Sequence, residues 1–335
     1  MRPTPTGEPP LLFALAATRD FGEAVAQALG TSLAPVEERG FEDGEHKTRS
    51  LTSVRGRDAF VIQSLHGGPD DSPNDKLCRL LFFLATLRDL GAASVTAVVP
   101  YLAYARKDRR TKPHDPVTSR YLAQLFETVG CDTVVTLEVH NIAAFENGFR
   151  CRAVHLDART LFASRLVPML EGENVVVASP DPGGVKRAQL FRERLEHLLG
   201  RAVGFAFMEK RRSEGMVSGT LLAGDVESAT VVVVDDLISS GGTTRRAAEA
   251  CLAHGAGRVL AVATHGLFTT GAAEAIRAAS LAKVFVTDTV PPFRLPPDLL
   301  GADVVIVPAA PLFAEAIRRL HTGGSITELL EEPQA

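Results

Sequence analysis

The run Val231-Val232-Val233-Val234-Asp235-Asp236-Leu237-Ile238-Ser239-Ser240-Gly241-Gly242-Thr243-Thr244 joins a strand, two carboxylates, a phosphate-sized loop and a helix start. Four β-branched residues ahead of Asp235 and Asp236 predict a parallel strand buried on both faces, and open α/β sheets bind ligands at the carboxyl ends of such strands. Ser239, Ser240, Gly241, Gly242 and Thr243 offer hydroxyls and successive backbone N–H groups, with no bulk at the glycines, beside the positive end of a helix starting near Thr244. That is an anion cradle. Carboxylates repel phosphate, so Asp235 and Asp236 suit ribose hydroxyls or a divalent metal ion instead. The run therefore predicts a ligand that carries both a phosphate and a sugar. An ordinary βα turn with a capped helix is the plain alternative, and a P-loop is excluded because no Gly-Lys-Ser/Thr follows.

Five further stretches carry chemistry at strand ends or in loops: Phe41-Glu42-Asp43-Gly44-Glu45, the segment Pro100 to Arg110 with Arg106, Lys107 and Asp108, Val139-His140, Ser179-Pro180-Asp181-Pro182-Gly183-Gly184, and Glu209-Lys210-Arg211-Arg212. The Arg106 guanidinium has the fork that recognises phosphate, although a surface salt bridge would use it equally. Phe41, Asp43 and Glu45 lie on a polar, Gly-containing segment flanked by Arg39 and Lys47, which suits a projecting loop between strands rather than a core. His140 follows a buried strand, where a lone histidine is most often structural. Asp181 stands between a strand and two glycines, which places a carboxylate beside backbone open to close approach. Lys210 and Arg212 precede Ser213-Glu214-Gly215, a segment flexible enough to close over a substrate; a solvated basic turn is the plain reading of such a charge run.

The elements that must position these residues alternate in type. Strands are predicted at Leu11–Ala16, Asp58–Gln63, Ser94–Pro100, Asp132–Glu138, Asn174–Ser179, Ala202–Phe207, Thr230–Val234, Arg258–Thr264 and Lys283–Thr287. Helices are predicted at Phe21–Leu29, Asn74–Leu90, Thr118–Val129, Val185–Leu199 and Thr243–His254. In Asn74–Leu90 the residues Leu77, Leu80, Leu81, Leu84 and Leu87 recur at helical spacing ahead of Gly91. This is βαβ grammar, repeated in two halves. It predicts a leader over residues 1–10, a first domain over 11–157 and a second over 158–335, joined near 154–162, with the C-terminal segment packing back on the first domain.

Composition narrows the function classes. At 335 residues, 45% hydrophobic and 23% charged, the chain reads as globular with two cores. A net charge of −4 without a basic stripe argues against a nucleic-acid partner. Cys78, Cys131, Cys151 and Cys251 lie too far apart for a close-spaced ligand pair, and reduced thiols in a cytoplasm are expected. The proline-rich start lacks the apolar run of a signal peptide, and no stretch is apolar enough to span a membrane.

In order and spacing, the acid-pair run and the five stretches resemble the ribose-phosphate diphosphokinase (PRPP synthetase) family from about Leu12 to Leu330, including the tail Ala314 to His321. The acid pair and loop resemble the PRPP loop of the type I phosphoribosyltransferase fold. The resemblance implies an α/β chain of two similar parallel-sheet domains of that fold. It implies a diphosphotransferase that moves diphosphate from Mg-ATP to the anomeric hydroxyl of ribose 5-phosphate, yielding PRPP and AMP in nucleotide biosynthesis. Lys210 and Arg212 match its catalytic cations, and Arg106, Lys107, Asp108 and His140 match an ATP site. Phe41, Asp43 and Glu45 match residues that reach the adenine of ATP on a neighbouring subunit, so a homo-oligomer, a dimer or a multiple of dimers, is implied. Asp235, Asp236, Ser239, Ser240, Gly241, Gly242 and Thr243 match the ribose 5-phosphate site; His140 and Asp181 match residues at the Mg²⁺. Glu138 stands where the family usually has Asp, and Lys107 where it commonly has Gln. A phosphoribosyltransferase would leave Arg106, His140 and Lys210 without a task, and a non-catalytic subunit of the same family would not need the motifs intact.

Overall fold

The computed structural model describes residues 8–213 and 216–331, with side chains omitted over 209–220. The predicted leader lies outside this description up to residue 7; within its last three residues, Glu8 pairs with Arg57 at 2.8 Å and the Pro9 carbonyl accepts from Arg57 at 2.6 Å. The described residues divide into two compact units, 8–157 with 310–331, and 158–309.

In the first unit the elements run β1 (Leu11–Ala14), α1 (Arg19–Leu29), β2 (Val36–Gly40), β3 (His46–Ser50), β4 (Asp58–Ile62), α2 (Pro73–Asp89), β5 (Ser94–Val99), α3 (Thr118–Thr128), β6 (Thr133–Leu137), α4 (Ile142–Gly148) and β7 (Arg152–Leu156). Strands β1-β4-β5-β6-β7 form one parallel sheet in that order. Helix α2 starts where Ser72 and Asp75 bond reciprocally ahead of Pro73, a capping box. It buries Leu77, Leu80, Leu81, Leu84 and Leu87, each worth about 1.5–3 kcal/mol of transfer free energy, and Phe83 meets Phe13 edge to face at 5.3 Å. Gly22 lets α1 lie on β1, since a Cβ there would fall 2.2 Å from that of Ala14.

In the second unit the order is α5 (Arg159–Leu170), β8 (Val175–Ser179), α6 (Val185–Leu199), β9 (Gly204–Ser213), β10 (Met216–Ala223), β11 (Thr230–Ile238), α7 (Gly242–Ala253), β12 (Arg258–Gly266), α8 (Ala272–Ala278), β13 (Lys283–Thr287) and β14 (Val304–Val307). The sheet order is β10-β9-β8-β11-β12-β13-β14, parallel except for β10. Chain order reverses between β8 and β11, which makes their carboxyl ends the crevice where open sheets bind ligands. The closing helices α9 (Ala310–Thr322) and α10 (Ile326–Glu331) belong to the first unit. Phe313 of α9 meets Phe21 of α1 at 5.4 Å, and His321 Nδ1 lies 2.8 Å from Asp58 Oδ2.

The fold departs from the sequence reading in two places that bear on the site. Strand β11 runs four residues past Val234, so Asp235 and Asp236 lie inside it; it pairs with β8 only as far as Val233, whereas its pairing with β12 continues to Ile238. The segment carrying Lys210 and Arg212 is no loop: their backbones pair with Thr220 and Val217 across the β9–β10 hairpin, because the apolar strand predicted at 202–207 continues as a charged edge ribbon. The region 154–162 holds the end of β7 and the start of α5, and the two compact units divide between 157 and 158. Among the described residues, no helix is long and apolar enough to cross a membrane.

Candidate active site

The outrun of β11 past β8 delivers the acid pair into the crevice of the second unit. Asp236 is buried, and its backbone N–H donates to Asp235 Oδ1 at 2.9 Å. Burial first, and the adjacent Asp236 second, push the Asp235 carboxyl well above the usual carboxylate range. Arg187, on the first turn of α6, answers this charge: its Nη1 lies 4.0 Å from Asp235 Oδ1 and 3.9 Å from Asp236 Oδ1. At the end of β8, Ser179 Oγ donates to the Asp181 carbonyl at 2.7 Å and Gly184 N donates to Asp181 Oδ1 at 3.1 Å, fixing that carboxylate at the mouth of the same crevice. Gly184 is required there, since a Cβ would fall 2.8 Å from Ser179 Oγ.

The loop between β11 and α7 has the form of an anion cradle. Gly241 caps α7 with φ +75 and no side-chain bond to the first turn, so the first-turn N–H groups are left for an outside acceptor. The loop is braced from its far side: Thr269 N donates to the Ser239 carbonyl at 2.9 Å, and the two hydroxyls of Ser239 and Thr269 lie 3.1 Å apart. The two glycines differ. A Cβ on Gly241 would meet that of Ala275 at 2.9 Å in a left-handed backbone, whereas a Cβ on Gly242 would meet side-chain ends, Arg246 Nη1 at 3.3 Å and Ser240 Oγ at 3.8 Å.

In the first unit, the segment after β5 and the turn after β6 are tied together. Asn141 caps α4 by accepting from Ala144 N at 3.2 Å and donates from Nδ2 to Asp108 Oδ2 at 2.6 Å, which sets Asp108 beside the residue following His140. Three non-glycine residues adopt the left-handed region here, Tyr104 (φ 63), His114 (φ 68) and the buried Glu138 (φ 46), strain of the kind stored at ligand sites. Lys107 closes its own loop. Its Nζ donates to Asp115, which also accepts from the backbone N–H groups of Thr111 and Lys112 at 3.0 Å, and Lys107 holds that carboxyl well below its ordinary value. Arg106 is exposed beside it.

Phe41, Asp43 and Glu45 form the tip of the β2–β3 ribbon. Phe41 N donates to the Glu45 carbonyl at 2.8 Å, Glu45 N donates to Asp43 Oδ1 at 3.0 Å, and the Arg39 guanidinium lies 5.2 Å from the centre of the Phe41 ring. With 43% of Phe41 exposed, the ring belongs to no core. The side chains of Lys210 and Arg212 lie outside the described residues. His140 falls in the first unit and Asp181 in the second, and among the described residues no group of three or more His, Cys, Asp or Glu could close around a metal ion. Arg187 and Asn141 sit inside or beside stretches singled out in the sequence. Thr269 does not, and only the β11–β12 pairing brings it to the cradle.

Comparison with known proteins agrees with this layout. Residues 11–130 match the N-terminal domain of ribose phosphate pyrophosphokinase, and residues 210–331 match the phosphoribosyl synthetase-associated domain. A ribose-phosphate pyrophosphokinase of Caldanaerobacter subterraneus is 38% identical over 306 residues, covering 91% of this chain and 92% of the relative. Ribose-phosphate pyrophosphokinase 4 of Saccharomyces cerevisiae is 32% identical, covering 92% and 91%. The crystal structure of phosphoribosylpyrophosphate synthetase from Mycobacterium smegmatis superposes with a TM-score of 0.85 at 31% identity, over 95% of this chain and all of that one. With the acid pair, the cradle and the ribbon tip on the scaffold that these matches share, the chain belongs to the ribose-phosphate pyrophosphokinase family.

Proposed function

We propose that this chain transfers the diphosphoryl group of ATP to the anomeric hydroxyl of ribose 5-phosphate. The O1 oxygen attacks the β-phosphorus, the bond from that phosphorus to the α–β bridging oxygen breaks, AMP leaves, and the O1 proton is lost to solvent. The observation that carries the reading is the juxtaposition, on one strand and its following loop, of the acid pair and the cradle: carboxylates for ribose hydroxyls, unpaired N–H groups for the 5-phosphate. Diphosphoryl transfer asks the protein to position two anions and to neutralise charge spreading over phosphoryl oxygens. Lys210 and Arg212 take the second task, while Arg106, Asp108 and His140 orient ATP. Lys107, engaged with Asp115, holds the shape of the ATP segment. Asp181 and the acid pair offer the carboxylate oxygens that would hold Mg²⁺ in the second unit, and His140 is the other residue proposed for it; the ion would supply neutralisation of the bound diphosphate. The free cysteines, two of them buried, suit a reducing cytoplasm.

Purified protein given ribose 5-phosphate and Mg-ATP is expected to release AMP in step with PRPP. No AMP release under conditions where both substrates bind would make the chain a non-catalytic member of its family.

The ribbon tip carries the oligomer reading. An exposed Phe41 held by an arginine and bordered by carboxylates suits the adenine of ATP bound to a second copy of the chain. Phe41→Ala is expected to raise the KM for ATP about ten-fold. Mixing it with Lys210→Ala is expected to restore part of the activity, in sites assembled from the intact portions of each. A fully active monomer, seen by sedimentation at assay concentration, would overturn the shared site.

A further inference from the structure

Two arginines follow Thr244 on the first turns of α7, and the structure uses them differently. Arg245 Nε pairs with Glu249 Oε1 one turn along at 3.5 Å, with both side chains half exposed. That is an ordinary surface pair. Arg246 turns the other way, toward the start of the helix, as helical side chains lean. Its Nη2 donates to Thr243 Oγ1 at 3.3 Å, and its Nη1 stands 3.3 Å from the point a Cβ on Gly242 would occupy. Among the described residues, no carboxylate pairs with it. The guanidinium therefore sits at the cradle itself, while Ser239, Ser240, Gly241, Gly242 and Thr243 contribute no ionisable side chain.

We propose that Arg246 is a substrate-binding residue that closes the cradle over the 5-phosphate and makes the site selective for a phosphomonoester dianion. The inference rests on the reading of this loop as the ribose 5-phosphate site, and it adds to that site a residue beyond the loop. Backbone N–H groups and a helix end supply partial charge; Arg246 supplies a full one, with planar donors that match phosphate oxygens. Its bond to Thr243 Oγ1 adds a second effect. A hydroxyl that accepts from a guanidinium is free to donate its own proton, so Thr243 is polarised toward the anion. The glycine at 242 then has a specific use: it leaves room for the Arg246 guanidinium to lie against the loop.

The test compares wild type with Arg246→Met, Arg246→Lys and Arg245→Met. The readouts are KM and kcat for both substrates, and calorimetric binding of ribose 5-phosphate and of unphosphorylated ribose without ATP. Arg246→Met is expected to weaken ribose 5-phosphate binding and raise its KM on the order of ten- to fifty-fold. The KM for ATP should stay within two-fold, kcat at saturating sugar phosphate should change little, and the preference for ribose 5-phosphate over ribose should shrink by the same factor. Arg246→Lys should recover part of the loss, and Arg245→Met should behave as wild type. A ribose 5-phosphate KM within two-fold of wild type in Arg246→Met overturns the proposal and leaves the loop assignment standing. Equal losses in the KM for both substrates overturn it as well, since they report a distorted helix rather than a phosphate contact. Wild-type protein that binds ribose no less tightly than ribose 5-phosphate overturns the loop assignment with it.

Discussion

Lys210→Ala is expected to lower kcat by about 10²–10³-fold while the KM for ATP stays within about two-fold. An interaction present equally in the ground state and the transition state would change KM, whereas a cation that meets phosphoryl oxygens only as charge builds on them changes kcat. The bipyramidal arrangement at the β-phosphorus spreads negative charge over oxygens that bound ATP does not present in the same places. The hairpin that carries Lys210 supports such a role. Strand β9 pairs with β8 only from Gly204 to Phe207, and from there to Ser213 its backbone is held by β10 alone, with a register shift between Val217 and Gly219. A two-stranded ribbon beyond the edge of its sheet is marginally stable by itself, and a bulge beside a site re-aims the chain. Lys210→Arg should retain more activity than the alanine, because charge is kept while the donor geometry changes. Single-turnover measurements separate chemistry from AMP release, and an alanine variant within ten-fold of wild type in that step would remove Lys210 from the transition state.

The sequence exposes what repeats and hides what meets across strands. Val175–Ser179 and Lys283–Thr287 are apolar runs bounded by polar residues, and helix Val185–Leu199 ends at a left-handed Gly200, so local pattern alone bounds them. The β2–β3 ribbon escapes that logic. Its strands read Val-Glu-Glu-Arg-Gly and His-Lys-Thr-Arg-Ser, polar on both faces, and they exist through pairing with each other and through contacts such as the stacking of His46 on Phe82 of α2. The same division holds within the site. Asp235, Asp236 and the cradle are contiguous, so residue type and order were enough to suggest a sugar phosphate. Their counter-charge is not contiguous. Arg187 reaches the acid pair only because β8 and β11 are neighbours across a crossover. Lys107 shows the converse, since its place in a basic motif points to ATP while the structure engages its ammonium with Asp115, eight positions along the same loop.

The acid pair leads to a second large effect, with opposite signs for stability and activity. Asp235→Asn is expected to reduce turnover about 10²-fold or more, because an amide carries no charge toward a metal ion and accepts through one oxygen where the carboxylate has two. The same substitution is expected to stabilise the fold. Burial and the neighbouring Asp236 raise the Asp235 pKa in the folded chain, so between the ordinary carboxylate pKa and the raised one the folded state binds more protons than the unfolded state. Stability therefore falls as pH rises through that window and stays lowered above it; an asparagine side chain does not titrate and escapes the loss. Its Oδ1 still accepts from Asp236 N, the bond seen at 2.9 Å, so little packing is sacrificed. In chelator, without substrates, the variant's melting temperature is expected to exceed that of wild type by about 2–4 °C at pH 8, with the gap closing as pH falls below the raised pKa. Arg187 works against the effect, since its guanidinium lowers the pKa that burial raises, and for this reason Arg187→Met should widen the gap between the wild-type and Asp235→Asn backgrounds. A variant that melts below wild type at pH 8 would show that the acid pair is already compensated in the free protein. A stabilised variant that keeps its turnover would show that the Asp235 carboxylate is not where the sugar and the metal ion are held.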